Sequence, residues 1–329
     1  MITTVDYHTA GEPFRIVTGG APDLPGESVL ARREAAQQGA ADRIRALLCN
    51  EPRGHADMYG CFLVPPDDPG ARFGALFWHK DGFSTACGHG TIALGAYAVD
   101  TGLVAAPEDG DLDVVIDVPS GRVTARVERV AGRTRSVAFR NVASFPLALG
   151  VPVDTNRGAI RVDLAYGGAI YACARAADLG LAVTPAHLGA LIAAGREIRD
   201  ALGATDAARH PTEARLSGIY GTIWYDDLGA TPDGRHQRNC TVFADGEVDR
   251  SPCGSGTSAR LALLHGQGLL PPGAVLRHDS IIGTTFTGTV VAADAGGVIT
   301  EVRGSAYRTG EHRFLLDPDD PLGAGFQLR

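Results

Sequence analysis

Hydrophobic and polar positions change places in short runs along the first 140 or so residues. The runs at 14–18, 61–64, 73–78, 114–118, 122–127 and 136–139 combine β-branched or aromatic residues with flanking turn residues, which predicts strands. The stretch 31–47 carries apolar residues only at intervals and predicts an exposed helix, whereas 91–99 is apolar on nearly every face and predicts a helix that must be buried. Gly102, just past its end, is the expected C-cap. After residue 143 the pattern begins again. Strands are expected at 160–165 and 170–173, a helix at 185–202, and strands at 219–225 and 239–243. A second buried helix follows at 256–267, then strands at 281–291 and 299–306, and a Pro/Asp/Gly tail containing the apolar 314–316.

The two buried helices open on near-copies of one motif, C-G-H-G-T-I-A from Cys87 and C-G-S-G-T-S-A from Cys253, about half the chain apart. Five of the seven positions agree, so two unrelated Gly-rich turns are the weaker reading. The repeat implies a duplication. The expected fold is α/β (α+β) in two pseudo-symmetric domains, each a curled mixed sheet around a central apolar helix, with the active site in the cleft between them. The halves expected are residues 1–143 with 312–329, carrying Cys87, and 144–311, carrying Cys253. Each Cys is placed to cap a helix N-terminus, where unpaired backbone N–H groups and the helix dipole favour a thiolate and cradle an anion such as a carboxylate. A free thiol titrates near ~8.5, and such a setting can lower it to roughly 3.5–7.5. Two activated thiols facing one another are what a reaction needs when a proton leaves one face of a carbon and returns on the other.

Composition narrows the chemistry. A chain of 329 residues with 44% hydrophobic content suits two domains with proper cores. The net charge of −8 and the lack of a Lys/Arg-rich run argue against nucleic acid as a partner. No segment approaches the roughly 20 apolar residues of a membrane span, and the N-terminus lacks a basic, then apolar, leader, so no membrane partner and a cytoplasmic location are expected. Six Cys without tight spacing read as reduced thiols, with no C-x-x-C or H-x-x-x-H spacing to support a metal. Of 30 Lys and Arg residues only Lys80 is a lysine, which leaves a Schiff-base cofactor a single candidate, and the nucleotide-binding glycine signatures are missing. No cofactor is expected, and the chemistry falls to side chains alone.

The segments 249–257 (D-R-S-P-C-G-S-G-T) and 84–91 (S-T-A-C-G-H-G-T) resemble the proline racemase family, which includes hydroxyproline 2-epimerases and trans-3-hydroxy-L-proline dehydratases. Segments 6–13, 51–60 and 283–286 extend the likeness over nearly the whole chain. The resemblance implies the diaminopimelate epimerase fold, no cofactor, a proline or hydroxyproline substrate, and a monomer or homodimer. Carried over by position, it makes Cys87 and Cys253 the acid/base pair. Gly88, His89, Gly254 and Ser255 line the substrate carboxylate, and Asp249 sits near the ring nitrogen. Segments 51–60, 77–85 and 240–248 look closer to the dehydratases, which usually carry Thr where this chain has Cys253. Elimination needs one base, whereas inversion needs a proton donor on the opposite face, so the second Cys favours a 2-epimerase of hydroxyproline or proline. Trans-3-hydroxy-L-proline dehydration to Δ1-pyrroline-2-carboxylate is the alternative. Many 4-hydroxyproline epimerases have a His near the position of Gly218, and its absence here leaves 3-hydroxyproline or proline open.

His55 and Asp57, in an E-P-R-G-H-x-D segment, either contact a ring hydroxyl or pin a loop together with Arg53. His8, Glu12 and Pro13 suit a turn closing the first strand. Cys49, Cys61, Cys173 and Cys240 lie in or beside apolar segments and read as small core residues.

Overall fold

The computed structural model describes residues 1–203, 205–271 and 273–328. Arg329, the last residue of the expected 312–329 segment, lies outside them. The chain divides into two compact units, Met1–Val137 with Ser305–Arg329, and Ala138–Gly304. The breaks thus fall at 137/138 and 304/305, where the sequence suggested 143/144 and 311/312.

The first unit opens on β1 (Ile2–Thr9) and β2 (Glu12–Gly19), then α1 (Val29–Ala36) and α2 (Ala40–Cys49). It continues through β3 (Gly60–Val64), β4 (Phe73–His79), the short β5 (Gly82–Phe83), α3 (Gly88–Asp100), β6 (Gly110–Val118) and β7 (Gly121–Val130), and β8 (Arg133–Arg140) runs across the break into the second unit. The second runs β9 (Phe145–Thr155), β10 (Gly158–Tyr166), β11 (Ile170–Arg175), α4 (Leu188–Gly203), β12 (Ile219–Thr231), β13 (Gly234–Phe243), β14 (Glu247–Asp249), α5 (Gly254–Gly266), β15 (Val275–Ser280), β16 (Thr285–Asp294) and β17 (Gly297–Gly304). The chain then returns to the first unit as β18 (Ala306–Phe314).

Strand pairing repeats element for element. In the first unit β18, β1 and β2 pair antiparallel, β3 lies parallel to β2, β4 antiparallel to β3, and β4 takes β5 antiparallel and β6 parallel. In the second, β9, β10 and β11 pair antiparallel, β12 lies parallel to β11, β13 antiparallel to β12, and β13 takes β14 antiparallel and β15 parallel. A parallel pair needs a crossover, and each unit spends its helices there. One crossover is α1 with α2, or α4; the other is the motif helix, α3 or α5. The motif helices are therefore topological equivalents, each wedged between a two- or three-residue strand and the strand parallel to its predecessor.

Residues 88–99 of α3 are all buried, and so are 254–264 of α5. Fully burying each Leu or Ile of this kind stabilises by roughly 1.5–3 kcal/mol. Thr101 caps α3, and Gly102 follows at φ 73° with its N–H on the Val99 carbonyl at 3.1 Å. The expected helix at 31–47 is two helices. Gly39, at φ 83°, breaks the run where an L side chain would be strained. Both pieces pack on Phe62, Leu76 and Trp78. Among the described residues no helix is long and apolar enough to cross a membrane.

Candidate active site

Cys87 adopts extended φ/ψ (−153°, 106°) as the N-cap of α3, and its sulfur accepts the Gly90 N–H at 3.2 Å. Thr91 locks the turn by donating both its N–H (3.0 Å) and its hydroxyl (2.8 Å) to the Cys87 carbonyl. His89 places its two ring nitrogens 3.5 and 3.6 Å from Cys87 Sγ, and its ring stands edge-on to Phe14 and Tyr59 at 5.6 and 4.9 Å between centroids. Burial pushes the His89 imidazole down to about 3, so it is neutral and meets the sulfur through a tautomer rather than a charge. Its carbonyl accepts the Thr9 hydroxyl at 2.9 Å.

In the second unit Cys253 is the N-cap of α5, but at φ 60° and ψ 102°. A positive φ at a non-glycine residue is uncommon and costs on the order of 1–3 kcal/mol unless neighbours enforce it. Here they do. Cys253 N–H donates to Ser251 Oγ (3.1 Å), Ser251 N–H donates to Asp249 Oδ1 (2.8 Å), Asn239 Nδ2 donates to the Pro252 carbonyl (2.9 Å), and Thr257 N–H returns to the Cys253 carbonyl (2.7 Å). The sulfur lies 3.9 Å from the Tyr171 hydroxyl, which is 2.8 Å from Ser255 Oγ. Gly88 and Gly254 are the first residues of their helices and Ser255 the second of α5, so their N–H groups belong to the unpaired first turn.

The thiol of Cys253 departs from the expected depressed titration. Burial pushes it up, the Asp249 carboxylate adds to that, and the Gly256 N–H with the Thr241 and Tyr171 hydroxyls only partly offsets both. A helix N-terminus favours a thiolate, but desolvation in a residue only 5% exposed outweighs it. Asp249 is itself pushed up to about 6, by burial first, with hydrogen bonds from Ser251 and Cys253 pulling the other way. A folded-state titration above the unfolded one means that the ionised carboxylate costs stability above about pH 6 and costs nothing well below pH ~4. Asp249→Asn accordingly raises the unfolding temperature by a few degrees at mildly alkaline pH, with the gap to the parent closing as the pH falls through that window. Thermal unfolding against pH checks it; a gap that does not change with pH contradicts the assignment.

His55 and Asp57 sit in the loop of the first unit between α2 and β3. Asp57 N–H donates to His55 Nδ1 at 3.2 Å, and Met58 N–H to the His55 carbonyl at 2.9 Å. His55 is exposed and Asp57 buried. Arg53 ties this loop to the C-terminal tail by donating to the carbonyls of Gly323 (2.9 Å) and Leu315 (3.2 Å). These bonds are of the kind that pins a loop, one of the two roles expected of the segment. At the first hairpin His8 Nδ1 accepts the Gly11 N–H at 3.2 Å, as a strand-closing turn requires.

Sequence reasoning missed a polar layer in the second unit. Gln237, Asn239 and Thr241 alternate on β13 and are all fully buried. Arg260, buried in α5 where α3 has Leu94, donates to Gln237 Oε1 at 3.0 Å and lies 3.9 Å over the Tyr225 ring. Thr257 Oγ1 meets His278 Nδ1 at 2.8 Å. The Ser and Arg of S-G-T-S-A-R, where the first copy reads H-G-T-I-A-L, were the available signal. Tyr171 had a weaker one, since a Tyr inside an apolar run needs a partner for its hydroxyl.

Comparison with known proteins shows what this chain is similar to. A profile of the proline racemase family matches residues 4–327. The chain is 41% identical to a trans-3-hydroxy-L-proline dehydratase of Bacillus cereus, over 99% of this chain and 98% of that protein. It is 44% identical to a 3-hydroxyproline 2-epimerase of Burkholderia multivorans, over 100% of this chain and 98% of that protein. Among solved structures, a hydroxyproline epimerase from Agrobacterium vitis with bound trans-4-hydroxy-L-proline superposes with a TM-score of 0.90 at 31% identity, covering 99% of this chain and 95% of that one.

Proposed function

The chain belongs to the proline racemase family, and on that premise we propose that it is a cofactor-independent 2-epimerase that inverts Cα of 3-hydroxyproline, with Cys87 and Cys253 as its two acid/base groups. The observation that carries the reading is the equivalence of the two thiols. Each is the N-cap of the motif helix of its unit, at corresponding positions of the repeated motif, and Cys87 Sγ also receives the Gly90 N–H. Elimination uses one base and gives no reason for a second such thiol.

In this mechanism the substrate carboxylate takes the first-turn N–H groups of Gly88, His89, Gly254 and Ser255. Negative charge that gathers on it as the α-proton leaves then meets donors already in place. Asp249 holds the ring ammonium. One sulfur, as thiolate, removes the proton, and the other, as thiol, returns one to the opposite face; the roles reverse with the other epimer. The electrostatics supply a starting state. Burial and Asp249 keep Cys253 protonated, hence a proton donor, and a bound ammonium beside Asp249 cancels part of the charge that holds the thiol up. A positioned acid or base of this kind contributes typically ~10²–10⁴-fold, so carboxylate binding must supply much of the rest.

The 3-hydroxy preference is supported by the 44% identical 3-hydroxyproline 2-epimerase and by Gly218, which stands where many 4-hydroxyproline epimerases have a His. A second reading, dehydration of trans-3-hydroxy-L-proline, is favoured by relatives of that name at 41–44% identity. Proton NMR in D₂O under reducing conditions separates the two. With trans-3-hydroxy-L-proline the expected result is deuterium at Cα together with the 2-epimer; Δ1-pyrroline-2-carboxylate as the sole product makes the protein a dehydratase instead.

A further inference from the structure

The aromatic residue beside each motif helix differs between the units. Phe14 on β2 packs edge-on against His89, two residues after Cys87. On β11, the strand equivalent to β2, Tyr171 instead reaches Ser255, two residues after Cys253, by a hydroxyl pair at 2.8 Å in which either oxygen can be the donor. The same Tyr171 hydroxyl is 3.9 Å from Cys253 Sγ. Both side chains are buried, so their two hydroxyl hydrogens have few acceptors to choose from.

We propose that Tyr171 and Ser255 form a reversible hydrogen-bond relay that serves Cys253 in both of its protonation states. When Cys253 is a thiol, its S–H donates to Tyr171 Oη, and the Tyr171 O–H donates to Ser255 Oγ. When Cys253 is a thiolate, the Ser255 O–H donates to Tyr171 Oη, and the Tyr171 O–H turns to the sulfur. No proton passes between heavy atoms of the relay. Two hydroxyl hydrogens rotate, and the proton that sulfur gains or loses is exchanged with the substrate carbon. A two-thiol inversion needs each sulfur as base in one direction and as acid in the other. A fixed donor such as the Gly256 N–H favours the thiolate alone, whereas a hydroxyl pair commits to neither. In the first unit the neutral His89, with either ring nitrogen within 3.6 Å of Cys87 Sγ, has the same freedom through its tautomers. The relay rests on the reading of Cys253 as an acid/base group, and Tyr171 is assigned as a further catalytic residue because it touches the reacting sulfur.

Tyr171→Phe and Ser255→Ala test it. Iodoacetamide alkylation from neutral to alkaline pH, followed at Cys253 and Cys87 by peptide mass spectrometry, reads the thiolate fraction of each sulfur. Hydrogen bonds to charged groups carry enough energy that losing the Tyr171 donor slows alkylation at Cys253 by about 10-fold or more, with the Cys87 rate unchanged. Ser255→Ala leaves Tyr171 with the sulfur as its remaining acceptor and speeds alkylation at Cys253. The acid limb of kcat/KM moves up by about one pH unit in Tyr171→Phe, the same ~10-fold change in thiolate population. A Cys253 rate in Tyr171→Phe equal to the parent's overturns the relay, as does equal slowing at both cysteines. Should Tyr171→Phe not fold, an unchanged Cys253 rate in Ser255→Ala overturns it alone. Alkylation reports the sulfur whether or not the protein turns over an imino acid. Failure of the acid/base reading of Cys253 would appear separately, as a Cys253→Ser protein that still inverts its substrate, and failure of the epimerase reading as Δ1-pyrroline-2-carboxylate as the sole product of the parent.

Discussion

Replacing Cys253 by serine lowers the rate of inversion by at least ~10²-fold and by as much as ~10⁴-fold, and Cys87→Ser does the same. A serine hydroxyl occupies the same N-cap position at the start of each motif helix, so both folds survive. Neither oxygen can serve as base or acid near neutral pH as a thiol does. Because inversion needs one group on each face, the losses do not add. The double variant is no slower than the worse single one, as expected of residues that act as a unit. The products carry a second piece of information. Elimination requires one base, so any turnover of trans-3-hydroxy-L-proline that survives in Cys253→Ser goes to Δ1-pyrroline-2-carboxylate rather than to the 2-epimer. Circular dichroism at the substrate band, with NMR of the products, checks both. Inversion by Cys253→Ser at a rate near the parent's removes that sulfur from the chemistry.

The helix-cap setting of both thiols was legible because the motif itself dictates it. A residue with an acceptor side chain, then small residues, then an apolar run can start a buried helix and little else. The titration of Cys253 was not legible. Sequence shows the helix N-terminus that lowers it, but burial and the approach of Asp249 depend on the packing of β13, β14 and α5. Strands β1, β9 and β15 were missed for local reasons. In β1 the acid Asp6 is buried because Arg15 pairs with it at 2.9 Å, which breaks the apolar alternation. β9 contains Pro146, Gly150 and Pro152, each of which demotes a strand reading. β15 ends in His278, Asp279 and Ser280, all buried, while the apolar pair at 281–282 that looked like a strand is a turn with Ile282 half exposed. Local pattern predicts burial of apolar residues well; burial of polar ones is decided by partners distant in sequence.

Those partners matter most at Gly90 and Gly256, where alanine gives the second large effect. A Cβ on Gly256 would stand 2.9 Å from Cys253 Sγ and 2.9 Å from Ile223 Cδ1. The Ile223 methyl ends a rotatable chain and can yield, which leaves the sulfur as the group displaced. Alanine also gains helix propensity over glycine, on the order of 0.8–1 kcal/mol in a helix interior and less in a first turn. Gly256→Ala therefore unfolds within a few degrees of the parent, yet its kcat falls by about 10²-fold, the usual consequence of moving a reacting atom by ~1 Å. At Gly90 the added Cβ would lie 2.7 Å from Cys87 Sγ and closer still to the Phe14 ring. That ring is fully buried and braced by Tyr59 and Phe77 at 6.3 and 6.1 Å. It cannot turn aside, so Gly90→Ala loses about 1–3 kcal/mol of stability to overpacking as well as the activity. Thermal unfolding and steady-state kinetics on the two variants separate the effects. A Gly256→Ala protein with the parent's kcat would mean that the seat of the sulfur against the helix N-terminus does not set the rate, whereas one that is folded and slow ties the chemistry to a glycine that keeps a single carbon atom away from the thiol.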